Sequence, residues 1–127
     1  MTNSCRKGKV GEREAVNMLR SLGYTDAHRT QQHDGMGLSD VTIPGFDLHI
    51  EVKYGYPKKD FSLGSQLWEK AVNQAEKDSK GQNWVVLWRE KRCVVWKMTF
   101  LQGPGVVTVA GDAAIQSWLL SLTPSLK

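Results

Sequence analysis

The sequence predicts one α/β domain in which a central mixed β-sheet is flanked by helices. Three observations predict it. Residues of about 9–22 and 65–80 carry apolar side chains at helical spacing. Residues 46–54 alternate apolar and polar with a period of two. Residues 84–88 and 93–98 are short runs of β-branched and aromatic residues, bounded by charged or turn-forming ones. The length of 127 residues is that of one domain, and a hydrophobic fraction of 40% with five Trp can build one core.

In the first helix, from about Lys9 to Leu22, Ala15, Met18, Leu19 and Leu22 share one face, and Gly23 is the natural stop. Arg13 points away from that stripe. Glu12 lies on its flank, where it either turns inward towards a cleft or stays solvated in the field of the helix N-terminus. Tyr24 to Thr30 holds a short expected strand. The following Gln31–Gly37 has two glycines and no apolar period, so it reads as a loop leading into Asp40, with His33 exposed.

The rest of the chain is organised around FDLHIEVKY, Phe46 to Tyr54. Phe46, Leu48, Ile50 and Val52 alternate with Asp47, His49, Glu51 and Lys53, so one face packs on a core while the other presents a carboxylate and an ammonium side by side. Upstream, Leu38–Ile43 is another short apolar run, with Asp40 near its start. Ile43-Pro44-Gly45-Phe46 is a turn signal. With Pro44 and Gly45 as the two central residues of a hairpin, Asp40 faces His49. Glu51 is then its diagonal neighbour on the same face, roughly 7–8 Å away. A change of one residue in the loop would send Asp40 to the other face.

Gly55–Asp60 is a basic, aromatic loop containing Lys58 and Lys59. In the second helix, from about Ser65 to Lys80, Leu67, Trp68, Ala71 and Ala75 form the apolar stripe. Gln74 borders that stripe and Gln66 lies nearly opposite it. Trp84–Trp88 and Cys93–Met98 are expected strands joined by a charged hairpin loop, Arg89–Arg92. A Gly-Pro-Gly turn, a strand Val106–Val109 and a last helix Asp112–Leu122, with Asp112 as N-cap, complete the chain.

The net charge is +4 and the pI about 9.2, with Arg6, Lys7 and Lys9 clustered at the start and Lys58-Lys59 behind the central strand. Such a surface is either solvated or suited to a polyanion. No apolar run approaches the roughly 18–20 residues of a membrane span. No apolar segment follows the basic N-terminal residues, so no signal peptide and a cytoplasmic protein are expected. Cys5 and Cys93 form no CxxC pair, which points away from structural zinc. Cys93 is expected as a small buried core residue, and a cytosolic setting disfavours a disulfide.

An acid, a short connection and then Glu-x-Lys suit metal-dependent phosphodiester hydrolysis. The reaction needs a polarised phosphorus, an activated water and a stabilised leaving oxygen, and Mg²⁺ on carboxylate oxygens can supply all three. Asp40 and Glu51 would be the chief ligands, with the backbone carbonyl of Val52 beside them. Lys53 would orient the water or neutralise developing charge. Glu12 would complete the shell directly or through water.

Ser39-Asp40-Val41 followed by Ile50-Glu51-Val52-Lys53 resembles the PD-(D/E)xK nuclease superfamily, with Ser39 where its name has Pro. Lys9-Val10-Gly11-Glu12-Arg13-Glu14, the Gly-Tyr after the first helix and Lys58-Lys59-Asp60 are similar to archaeal-type Holliday junction resolvases and their phage relatives. The resemblance covers about Lys7 to Met98 and leaves a C-terminal strand and helix, about 104–122, without a counterpart. It implies a restriction-endonuclease-like fold and a homodimeric endonuclease for Holliday junctions or other branched DNA, active in recombination and repair. The cofactor would be Mg²⁺, with Mn²⁺ as substitute, and the compartment the host cytoplasm if the chain is phage-encoded. It places Glu12, Asp40, Glu51 and Lys53 in the active site and Arg29 at the substrate, with Lys7, Lys9, Lys58 and Lys59 as DNA contacts. It also implies an accessory glutamine on the second helix, better met by Gln74 than by Gln66, and leaves Ser39 a possible accessory. Two alternatives remain open: a related nuclease acting on flaps, nicks or linear duplex in replication, repair or restriction, and a non-catalytic DNA-binding module on the same fold.

Overall fold

The run Trp84–Trp88 is apolar towards both sides, and in the computed structural model it is covered on both. The structure describes residues 4–30 and 39–122, with side chains from Gly8 onward. In chain order the elements are α1 (Ser4–Ser21), β1 (His28–Arg29), β2 (Val41–Thr42), β3 (Leu48–Tyr56), α2 (Gln66–Ser79), β4 (Asn83–Glu90), β5 (Lys97–Gln102), β6 (Gly105–Ala110) and α3 (Asp112–Ser121). They form a single α/β domain with one mixed sheet whose six strands lie in sequence order. β3 and β4 are parallel, joined by a crossover through α2, and the other neighbours are antiparallel.

Val85 and Leu87 of β4 join Ala15, Leu19, Ile50 and Met98 in a core that also takes in Ile115 and Leu119 of α3. Trp84, Val86 and Trp88 face the other way, against Ala71, Val72 and Ala75 of α2 and against Phe61. A strand buried on both faces has no polar side to show, hence its unbroken apolar sequence. The C-terminal strand and helix belong to this body: β6 pairs with β5 along its whole length, and Ile115 is fully buried.

Two local features set the faces of β3. Between Tyr54, paired with Arg89, and Tyr56, paired with Glu90, Gly55 is an extra residue with φ of 81°. This bulge keeps Tyr54 on the α1 side and turns Tyr56 to the α2 side, where it stacks on Phe61. On α1, Gly11 is buried against Tyr54, and a Cβ there would overlap the Tyr54 Cβ.

A second layer of specificity is polar. The Thr99 hydroxyl, fully buried on β5, receives the Trp88 Nε1 hydrogen at 3.0 Å and the Trp68 Nε1 hydrogen at 3.4 Å. It also lies 2.7 Å from the Thr108 hydroxyl on β6. One donor and two acceptor sites are what a hydroxyl offers, so this one is fully used.

Several boundaries differ from those read in the sequence. α1 starts at Ser4, so the basic cluster is helical. Cys93–Trp96 is not strand; pairing begins at Trp88 with Lys97. The cause is side-chain chemistry: Lys97 Nζ binds Glu90 Oε1 at 2.8 Å, while Trp96 folds into the α1-side core beside Tyr54. Arg89 and Glu90 consequently belong to β4, and the turn falls at Lys91-Arg92. Cys93, in this connection, is half-buried rather than a core residue, and it is free. Gly111 with φ of 97° is the N-cap of α3, leaving Asp112 as its first helical residue. α2 follows expectation: the Ser65 hydroxyl accepts from Trp68 N at 3.2 Å, although Val72 is buried and Leu67 is 40% exposed. Among the described residues no helix is long and apolar enough to cross a membrane.

Candidate active site

β3 presents His49, Glu51 and Lys53 on its α2 side, as alternation from the core residues Leu48, Ile50 and Val52 requires. The expected turn is there: Phe46 N donates to Ile43 O at 3.1 Å, and Gly45 has φ of 88°. The expected register is not. Val41 pairs with Ile50, because Phe46 and Asp47 also stay in the connection. A type II Pro-Gly turn does not match the twist of two strands. The two extra residues are held in place, Phe46 edge-on to Tyr24 at 5.6 Å and Asp47 by the Gln82 side-chain amide.

A shift of two residues keeps every side chain on its face. It moves Asp40 from the place opposite His49 to the place opposite Glu51. Asp40 N donates to Ile50 O at 2.7 Å, and Val52 N donates to Asp40 Oδ2 at 2.9 Å. In such a pair a residue's N–H and C=O point to the same neighbour, so the Val52 carbonyl lies on the Asp40 edge of β3.

The Asp40 carboxyl is pushed up from 3.8 to about 7. Burial is the main cause, and the Glu51 charge adds to it. The Val52 N–H opposes the shift, while the Glu12 charge and a hydrogen bond with Glu51 reinforce it. Three carboxyl groups from α1, the Asp40 segment and β3 are thus electrostatically coupled. Of the two readings of Glu12, the inward one is observed: it is half-buried, and its Oε1 accepts from Arg29 Nε at 3.1 Å. Arg29 holds this acid through Nε, and its side chain is 40% exposed.

No protein-family model, curated protein or solved structure matches this chain. Clustered carboxylates with a backbone carbonyl are hard oxygen ligands, and their mutual repulsion is what a divalent cation relieves. Asp40, Glu51 and Glu12, with the Val52 carbonyl, offer oxygen ligands of this kind.

The remaining expected residues divide. Lys53 lines a cleft of about 230 Å³ together with Gln74, and Gln74 Nε2 donates to Asp78 Oδ2 at 2.8 Å. Gln66, the exposed first residue of α2, does not line that cleft. Ser39 Oγ donates to Val41 O at 2.8 Å and is occupied locally. Lys9, Lys58 and Lys59 are exposed. The Lys7 side chain and the Gln31–Gly37 loop lie outside the described residues.

Two residues emerge only in three dimensions. His49, 4% exposed, places Nε2 2.8 Å from Glu51 Oε2. Single ligand atoms of His49, Glu51 and Asp78 lie within 4.8 Å of one another. For His49 the signal was its place two residues before Glu51 on one strand face. For Asp78 it was the spacing of four from Gln74, which puts both on one side of α2.

Proposed function

We propose that this chain is a divalent-metal-dependent endonuclease of the PD-(D/E)xK type that cuts branched DNA as a homodimer, with Holliday junctions as the preferred substrate and the cytoplasm as its compartment. The observation that carries the reading is the place of Asp40, just before β2, hydrogen-bonded to the β3 backbone at Ile50 and Val52 and beside the Glu51 carboxyl, with Lys53 two residues beyond Glu51 on the same face. Asp40, Glu51 and the Val52 carbonyl would hold Mg²⁺, with Glu12 direct or through water. The bound ion would polarise the phosphodiester and lower the pKa of its water.

Each side chain then has a task. Lys53, half-buried beside the cleft, sets the attacking water or offsets charge growing on the phosphate. Arg29 fixes Glu12, and His49 fixes Glu51. Lys9, Lys58 and Lys59 supply exposed positive charge for the backbone of the DNA arms.

The test incubates the protein with Mg²⁺ and either an immobile four-way junction or a linear duplex of matching sequence, beside a Glu51→Ala variant. Paired cuts near the branch point that vanish in the variant are expected. Equal cutting of both substrates would retain the nuclease and remove the junction preference. Binding without cleavage in Mg²⁺ or Mn²⁺ would leave a DNA-binding module.

A further inference from the structure

We infer that the cleft beside Lys53 seats one unstacked nucleotide of the bound DNA strand, an inference that rests on the proposed action on DNA. The cleft exists for three local reasons. The Gly55 bulge turns Tyr56 towards α2, and the turn after it lays Phe61, 3% exposed, against Trp88 at 5.2 Å. On α2 the residue over this floor is Ala71, too small to fill the space, while Leu67, one turn earlier, and Lys70, the residue before Ala71, also line it.

The lining has a distinct chemistry. Phe61, Tyr56, Leu67 and Ala71 give an apolar surface with two aromatic rings, and Lys53, Lys70 and Gln74 give two cations and an amide. No carboxylate is among the lining residues. A ligand that suits it has a flat apolar body and a negative charge beside it. The volume of about 230 Å³ is below the roughly 300–1,000 Å³ of drug-sized sites, so one ring system enters and a base pair does not. A nucleotide meets each requirement: the base lies on the aromatic and aliphatic walls, and its flanking phosphates meet Lys53 and Lys70. Gln74 spends one amide hydrogen on Asp78, and its second hydrogen and its carbonyl can meet the edge of a base.

Taking a base out of a duplex costs a few kcal/mol, and least where pairing is already broken. A cleft for one unstacked base next to Glu51 and Lys53 therefore favours strands at a branch over those in a continuous helix. The site would contribute to structure selectivity as well as to affinity.

The test needs no cleavage. Metal-free protein with labelled methyl groups and side-chain amides is titrated with a four-nucleotide thymidine oligomer, and with the same backbone lacking its central bases. The base-containing oligomer should move the Leu67 and Ala71 methyl signals and the Gln74 amide, and bind about tenfold more tightly than the abasic one. Ala71→Leu, which fills the cleft, should remove that preference, with unchanged Val85 and Leu87 signals showing an intact fold. Gln74→Ala, on an exposed side chain, should reduce it and serves if Ala71→Leu does not fold. Equal affinity for the two oligomers, or shifts confined to Lys58-Lys59 and α1, would overturn the inference while leaving the nuclease reading standing. Failure to bind any oligomer or junction would overturn both.

Discussion

His49 Nε2 lies 2.8 Å from Glu51 Oε2, on the same face of one strand, and the imidazole is almost wholly buried. A carboxylate held in this way spends one oxygen on its neighbour and directs the other, which on the proposed reading would order a metal ligand in advance of the ion. His49→Gln should raise the Mg²⁺ concentration needed for half-maximal cleavage by about ten- to a hundredfold, the usual effect of losing such a support. A Mg²⁺ titration of cleavage, with circular dichroism to show a retained fold, checks it. An unchanged requirement would make the contact structural.

Asp40 carries the proton question. Its carboxyl is raised to about 7, so near neutrality the metal-free carboxyl is partly protonated, at the place where the proposed cation would bind. At limiting Mg²⁺, cleavage should rise about tenfold per pH unit below 7 and level off above it. More Mg²⁺ should move the midpoint to lower pH, because metal and proton compete. Rates across pH at two Mg²⁺ concentrations decide this; a midpoint that ignores Mg²⁺ would assign it to another group.

The same shift has a consequence for stability. The folded carboxyl titrates above its ordinary value of 3.8, so the folded chain holds the proton more tightly than the unfolded one. Its contribution is complete below about 3.8 and is lost as pH rises through about 7. Asp40→Asn keeps an oxygen for the Val52 N–H and removes the charge. Without metal it should raise Tm by roughly 5 °C at pH 8 and by little at pH 4. Thermal melts at both values measure the difference.

How far the site could be read from the sequence follows from these residues. The alternation of β3 assigned Glu51 and Lys53 to one face because the side-chain period of a strand is local. Asp40 joined them despite a wrong register, since the error was two residues and preserved the face. The register itself depends on Tyr24 against Phe46 and Gln82 against Asp47, contacts that no local pattern contains. β5 was misplaced for a related reason. Trp96 is apolar for the sake of the core beside Tyr54, while Lys97 and Thr99, polar in sequence, are paired inside the sheet. Asp78 became legible only once α2 lay over β3.

Thr99 offers a test of the α2 side. Thr99→Val keeps the shape and removes the acceptor that serves Trp88 and Trp68. Leaving the buried Trp88 N–H unpaired should cost about 1–3 kcal/mol. Chemical denaturation should report that loss, and tryptophan fluorescence should change with it. A neutral result would mean that Thr108 or water replaces the lost partner.

Gly11 decides how closely α1 approaches β3. In an exposed helix, Gly→Ala would stabilise by about 1 kcal/mol. Here the new methyl group meets the Tyr54 Cβ, an atom fixed by the backbone of a paired strand, so rotating a side chain cannot relieve the overlap. Tyr54 has little freedom of its own: its hydroxyl accepts from Arg89 at 2.8 Å, and its ring lies under the same guanidinium. The helix must move instead, at a cost of about 1–3 kcal/mol, and the overlap should outweigh the propensity gain. Gly11→Ala should therefore lower Tm. Because Glu12 is the next residue, the displacement should also loosen its 3.1 Å contact with Arg29 and reduce cleavage more than the loss of folded protein explains. Activity per folded molecule separates the two effects, and a variant both as stable and as active as the parent would show that α1 is not held at this distance.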